Sequence, residues 1–351
     1  MKRTRLTFWV LPLALALLVG GCATNDNPPN SDLVINSLED IAAPPAGTVT
    51  LRSAIENAVA GDTITFDGSL DGDTILLSVV GAEHSTLKGE VYVNNVFSGY
   101  QDRDYGKSAL YADHGLTIDA SDLPHGITLK WNGGGASHAR VLAVNGDLTM
   151  RNVTISSGYS EAVAIVAGTQ PFTLARGGGL AVWGTARLYD CTIAGNTCLG
   201  ESGSARDRGT YGGGIYANGL DLNDCVISGN SVSAYGAGGG GIYSVGGADH
   251  TNNHGNDASL RGCTISGNRV TAQHAYGGGI FTLSGGPNNL ATMFLTNCTI
   301  ARNLVQDHPD YANVGQWYNR GGGIYMGGGS LWMTACTIAE NAVTGQLALF
   351  S

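Results

Sequence analysis

The sequence predicts an all-β chain: a right-handed parallel β-helix, a solenoid closed at its N-terminal side by a short capping helix. Three observations carry this reading. A cysteine recurs at Cys191, Cys225, Cys263, Cys298 and Cys336, each with an isoleucine two residues on and an asparagine five residues on, at Asn196, Asn230, Asn268, Asn303 and Asn341. A large apolar residue stands three positions before each cysteine, and a glycine triplet ending in an aliphatic residue precedes each unit. The cysteines lie 34, 38, 35 and 38 residues apart, so the motifs are fixed while the segments between them vary. That is the pattern of stacked coils with insertions confined to chosen corners.

Composition agrees. The chain has 351 residues, 54 of them glycine and only 9 proline, with 43% hydrophobic and 13% charged residues. The apolar content can fill a core, which excludes a disordered chain, and glycine without a triplet period excludes collagen. The net charge of −10 disfavours nucleic acid and anionic lipid as partners.

Taken in order, residues 1–21 read as a signal peptide. Lys2, Arg3 and Arg5 precede an apolar run from Phe8 to Val19, too short to favour a spanning helix and ended by Gly20 and Gly21. Val19-Gly20-Gly21-Cys22 resembles the lipobox of bacterial lipoproteins. The resemblance implies cleavage before Cys22 and lipidation of its thiol. Ala23, rather than aspartate, follows it; by the same analogy this implies the outer membrane. Residues 22–47 read as a polar tether, with Pro28-Pro29 and Pro44-Pro45 holding it extended and Leu33-Val34-Ile35 as a short strand candidate.

Residues 48–176 read as a cap and degenerate coils. Leu51, Ala54, Ile55, Ala58 and Val59 have helical spacing, with Thr50 as N-cap and Gly61 as stop. An amphipathic helix here can cover the apolar open end that a solenoid would otherwise expose. Glu56 is expected to be a solvated helix charge. Strand candidates follow at 62–66, 73–80 and 91–97, with a polar loop over 98–107, then at 116–118, 127–129, 141–144 and 148–150. Met150 to Ile155 reads as a first copy of the repeat, with Val153 in the cysteine column and Gly158 in the asparagine column. Arg140 is expected to tie down carbonyl groups at a strand start.

Residues 177–351 read as regular repeats. Asp190, Asp224, Gly262 and Asn297 precede their cysteines and tolerate the left-handed backbone of a sharp corner. Ala335 breaks that pattern, so the last coil is expected to bend differently. About 10 coils at about 4.8 Å each would make a rod of roughly 50 Å. The sequence stops before another glycine triplet, so the last coil is expected to be truncated or capped by Leu347 to Phe350.

Leu51-Arg52-Ser53-Ala54-Ile55 and Gly61-Asp62-Thr63-Ile64 resemble the bacterial CSLREA-type N-terminal module, with Ser53 replacing its usual acid. The glycine triplets with Ile-Tyr, together with Asn297-Cys298-Thr299-Ile300, are similar to the repeats of bacterial polymorphic outer-membrane proteins. That resemblance spans residues 48–343 and implies a β-helical rod exposed at the cell surface.

The cysteine column reads as small buried hydrophobes, because parallel in-register side chains point the same way and zinc-type pairs are lacking. The asparagine column reads as a structural ladder. Cys198 lies outside the column. His250 and His254, with Asp249, Asn252, Asn253 and Asp257, form a polar loop whose spacing gives calcium no support, so no cofactor or metal is expected. Loop acids are scattered and no acid pair recurs on a strand, so catalytic residues are not assigned. Tyr216, Tyr243, Phe281 and Tyr325 recur beside the triplets and are expected to pack rather than bind sugar. Function should then lie in the loops, above all 248–259 and 306–319. The expectation is an exported, lipid-anchored surface protein with a structural or adhesive role, its partners a membrane and polysaccharide or surface proteins. The alternative is a polysaccharide lyase or glycosidase on the same fold.

Overall fold

The computed structural model describes residues 33–81, 88–93, 96–102, 106–133, 138–167, 170–200, 207–245, 258–283, 292–309 and 318–345. Cys22 and the signal segment, the His250–His254 loop and 347–350 lie outside the described residues.

The chain forms a parallel β-helix, which among the described residues has three sheets, of 14, eight and nine strands, and a separate two-stranded hairpin. One coil shows how. The strand Ile215–Asn223 belongs to the first sheet, Val226–Ser228 to the second and Ser231–Gly238 to the third. Each corner needs a left-handed residue, here Asp224 (φ 53°), Gly229 (φ 63°) and Gly239 (φ 66°). Alternation along the first two strands sends Leu220, Leu222 and Ile227 inward, and each is buried. Between coils the same position stacks on itself. Leu188, Leu222, Leu260, Leu295 and Met333 align through the first sheet. Ile155, Ile193, Ile227, Ile265, Ile300 and Ile338 align through the second. These columns are the core, except on the last coil, where Met333 and Ile338 are exposed.

Among the described residues eight strands stack in the second sheet and nine in the longest run of the first, close to the expected number of coils and spanning about 34–38 Å at about 4.8 Å per step. The last coil bends like the others. Ala335 takes φ 53°, close to Asp190 and Asn297 at 54°. The stacking of the coil forces the corner, and alanine bears the steric cost that Asp, Asn and Gly reduce.

The glycine triplet has two jobs. Gly277 takes φ 59°, while a Cβ on Gly278 would lie 2.3 Å from the carbonyl oxygen of Gly322 on the next coil. The first glycine turns the chain and the second lets two backbones approach.

At the N-terminal side, α1 (Leu51–Asn57) is capped by Thr50. Ser53 replaces the acid of a capping box and does its work: its Oγ accepts from Thr50 N at 3.0 Å. The helix ends earlier than the spacing predicts, since Ala58 is already extended (ψ 148°). Leu51, Ala54 and Ile55 join the core, and Glu56 is exposed. The tether predicted over 22–47 is part of the folded body from Leu33 onward. Val34–Ile35 pairs in parallel with Thr63–Phe66, and Asn36 Oδ1 accepts from Val49 N at 2.8 Å. The strand expected at 91–97 is instead a hairpin of Lys88–Val93 with Val96–Asp102, whose second strand takes up part of the expected loop.

Candidate functional site

The two conspicuous columns lie inside the wall. Asn196, Asn230, Asn268 and Asn303 are fully buried. Both the backbone N–H and the Nδ2 of Asn230 donate to Asn268 Oδ1 at 3.0 Å, and its Nδ2 also donates to Ile193 O at 2.9 Å. Asn268 repeats this onto Asn303, and Asn303 onto the half-buried Asn341. Gly158 joins the ladder through its N–H, which donates to Asn196 Oδ1 at 2.8 Å.

Cys191, Cys225, Cys263 and Cys298 are buried, and Cys336 is half-buried. Each thiol donates back to a carbonyl two residues earlier, as Cys225 does to Asn223 O at 3.2 Å. Thiol-to-thiol hydrogen bonding along the column, with burial added, pushes Cys225 and Cys263 up to about 12. At neutral pH they are protonated and poor nucleophiles. Cys198 sits in a separate cluster with Ala175, Val232 and Ala237.

Arg140, 1% exposed, is a clamp: Nη2 donates to Arg176 O at 2.6 Å and Nη1 to Ser108 Oγ at 3.0 Å. Tyr216, Tyr243 and Phe281 are buried. They pack ring on ring, 5.4 Å between Tyr216 and Tyr243 and 5.1 Å between Tyr243 and Phe281. Tyr211 is held between the Arg176 guanidinium at 4.6 Å and the Tyr243 ring at 4.4 Å. Aromatic faces engaged in this way leave no platform for a ligand.

Beside α1 lies a cleft of about 540 Å³ lined by Glu56, Tyr111, Asp113 and His114 among others. His114 Nδ1 and Asp113 Oδ1 are 2.6 Å apart, but the carboxylate is 76% exposed, so water competes for that pair. Among the described residues no group of three or more His, Cys, Asp or Glu side chains could hold a metal.

The outward face of the first sheet was not singled out by the repeat. Ser259, Phe294 and Trp332 align on successive coils in one column; Arg261, Thr296 and Thr334 align beside them. Phe294 is 42% and Trp332 63% exposed. Their signal in the sequence is local: each aromatic stands between two apolar residues at inward positions of its strand, the buried Met293 and Leu295 or, on the last coil, the exposed Leu331 and Met333, so alternation points it outward. The chain matches no protein-family model, no curated protein and no solved structure.

Proposed function

We propose that this chain is an exported, lipid-anchored β-helical rod of the bacterial cell surface, with a structural or adhesive role. The observation that carries the reading is the use of the repeat. Its asparagines bond from coil to coil, and the Cys225, Cys263 and Cys298 thiols also reach the Leu188, Leu222 and Leu260 carbonyls of the preceding coil. What remains for contact is the set of outer faces and corner insertions. Such a body presents a long surface to a partner without needing a catalytic constellation. The basic n-region, the short apolar run and Cys22 supply the route outward, and the similarity to polymorphic outer-membrane repeats agrees with it.

The test is lipid labelling in a Gram-negative host. The chain with its own signal is expected to incorporate labelled fatty acid and to fractionate with the outer membrane. The Cys22→Ser variant is expected to lose the label and leave the membrane fraction. An unlabelled wild-type chain recovered in the soluble fraction would defeat the anchor.

A further inference from the structure

We propose that the outward face of the first sheet around Phe294, Trp332 and Arg261 is a binding platform for an anionic glycan. This gives the binding role proposed above a ligand and rests on it. Two large rings stand on adjacent coils of one column and face solvent. Phe294 is exposed between the buried Met293 and Leu295, and Trp332 continues its column onto the last coil, where the whole strand is exposed; an exposed aromatic patch of this kind marks a contact site. Around them stand Ser259, Thr296 and Thr334, all hydroxyl-bearing. The next outward position of the column is Asp221, which accepts from Asn223 Nδ2 at 3.1 Å.

Charge selects the ligand. The other outward arginines of this sheet are answered: Arg187 by Asp147 at 2.8 Å, Arg151 by Asp119 at 3.5 Å. Arg261 is exposed, and its guanidinium has no hydrogen bond or ion pair among the described residues. In a chain of net charge −10, Arg261 sets an exposed cation one coil before Phe294 and two before Trp332, two residues along the strand from their column. A pyranose presents C–H groups to an aromatic face and hydroxyls to serine and threonine. A carboxylate or sulfate on that chain accepts the paired N–H groups of a guanidinium. Successive coils advance by about 4.8 Å, so the platform meets a linear polymer along its length. A lipid surface would call for several cations and a wider apolar patch.

The experiment titrates the full chain with three oligosaccharides of equal length: oligogalacturonate (carboxylate), sulfated dextran (sulfate) and a neutral cello-oligosaccharide. Calorimetry and tryptophan fluorescence read the binding. At least one anionic oligosaccharide is expected to bind more tightly than the neutral one, and comparison of the two anions identifies the group recognised. Trp332→Ala and Phe294→Ala are each expected to weaken binding about tenfold, with Trp332→Phe retaining part of it. Arg261→Ala is expected to abolish the preference for the anion. These side chains face solvent, so circular dichroism and the thermal midpoint should stay unchanged. Equal binding of neutral and anionic chains, no binding of any of them, or binding indifferent to all three alanine substitutions would overturn the proposal. Membrane retention through Cys22 is read separately, so failure here leaves the anchor standing and failure there leaves the platform standing.

Discussion

Asn268 works for three coils at once. Its Oδ1 accepts from the backbone N–H and the Nδ2 of Asn230, while its own Nδ2 donates to Asn303 Oδ1 and Ile227 O. Asn268→Ala would leave the two Asn230 donors and the Ile227 carbonyl without these partners in a site closed to water. At about 1–3 kcal/mol for each buried unpaired group, a loss of at least about 3 kcal/mol is expected. Asn341→Ala, where the ladder is half-buried and water can substitute, should cost about 1 kcal/mol. Urea unfolding of both variants tests the contrast, and equal losses would refute the ladder as the source. The sequence made this column legible because period and residue type coincide. It made the outward column of Ser259, Phe294 and Trp332 illegible for the opposite reason. Outward positions are free to vary, so no repeat marks them, and only the alternation in Thr292–Thr296 and Ser330–Thr334 places those rings.

Among the elements, corners and triplets were readable, but the third sheet was not. Ser231–Gly238 is a strand built largely of serine, alanine and glycine, residues with little strand preference. Its composition answers tertiary packing: a Cβ on Gly238 would lie 2.1 Å from the Phe281 ring. The second corner hides in the same way, since Ser157 (φ 59°), Arg302 (φ 56°) and Glu340 (φ 55°) hold it where Gly195, Gly229 and Gly267 do so on the coils between. The corner at Ala335 gives a signed test. Ala335→Gly removes the left-handed penalty of about 1–2 kcal/mol, offset in part by the backbone entropy of glycine, and is expected to stabilise the last coil. Gly278→Ala should do the reverse and severely, because the atom it meets is the Gly322 carbonyl oxygen rather than a mobile side chain. Thermal melts of the two variants are expected to move in opposite directions. A Gly278→Ala protein as stable as the parent would show that the coils can slide apart at no cost.

At the scale of the whole molecule, a solenoid is quasi-one-dimensional, and damage to one coil need not reach distant ones. The N-terminal latch is where this matters. Asp40, its side chain 3% exposed, accepts from Arg52 Nε at 2.8 Å and from the backbone N–H groups of Ser78 and Val79 at 2.7 and 2.8 Å. Arg52 in turn donates to Ala109 O at 2.6 Å and Val79 O at 2.9 Å. One ion pair thereby fixes the segment after Leu33, α1 and the first coils to each other. If the chain hangs from Cys22 as proposed, any pull on it enters at this segment and meets the Val34–Ile35 pairing and then the latch. Asp40→Ala removes one partner of a buried pair and strands two backbone donors, a change worth about 3–5 kcal/mol where the pair is closed to water. The expected outcome is local. Hydrogen exchange should lose protection over 33–57 and 74–81, while the coils of 215–305 keep theirs. Asp40→Asn, which keeps an acceptor but not the charge, should fall between. Uniform loss of protection along the rod would mean that the cap nucleates every coil, and unchanged protection would mean that α1 is held by its buried Leu51, Ala54 and Ile55 alone.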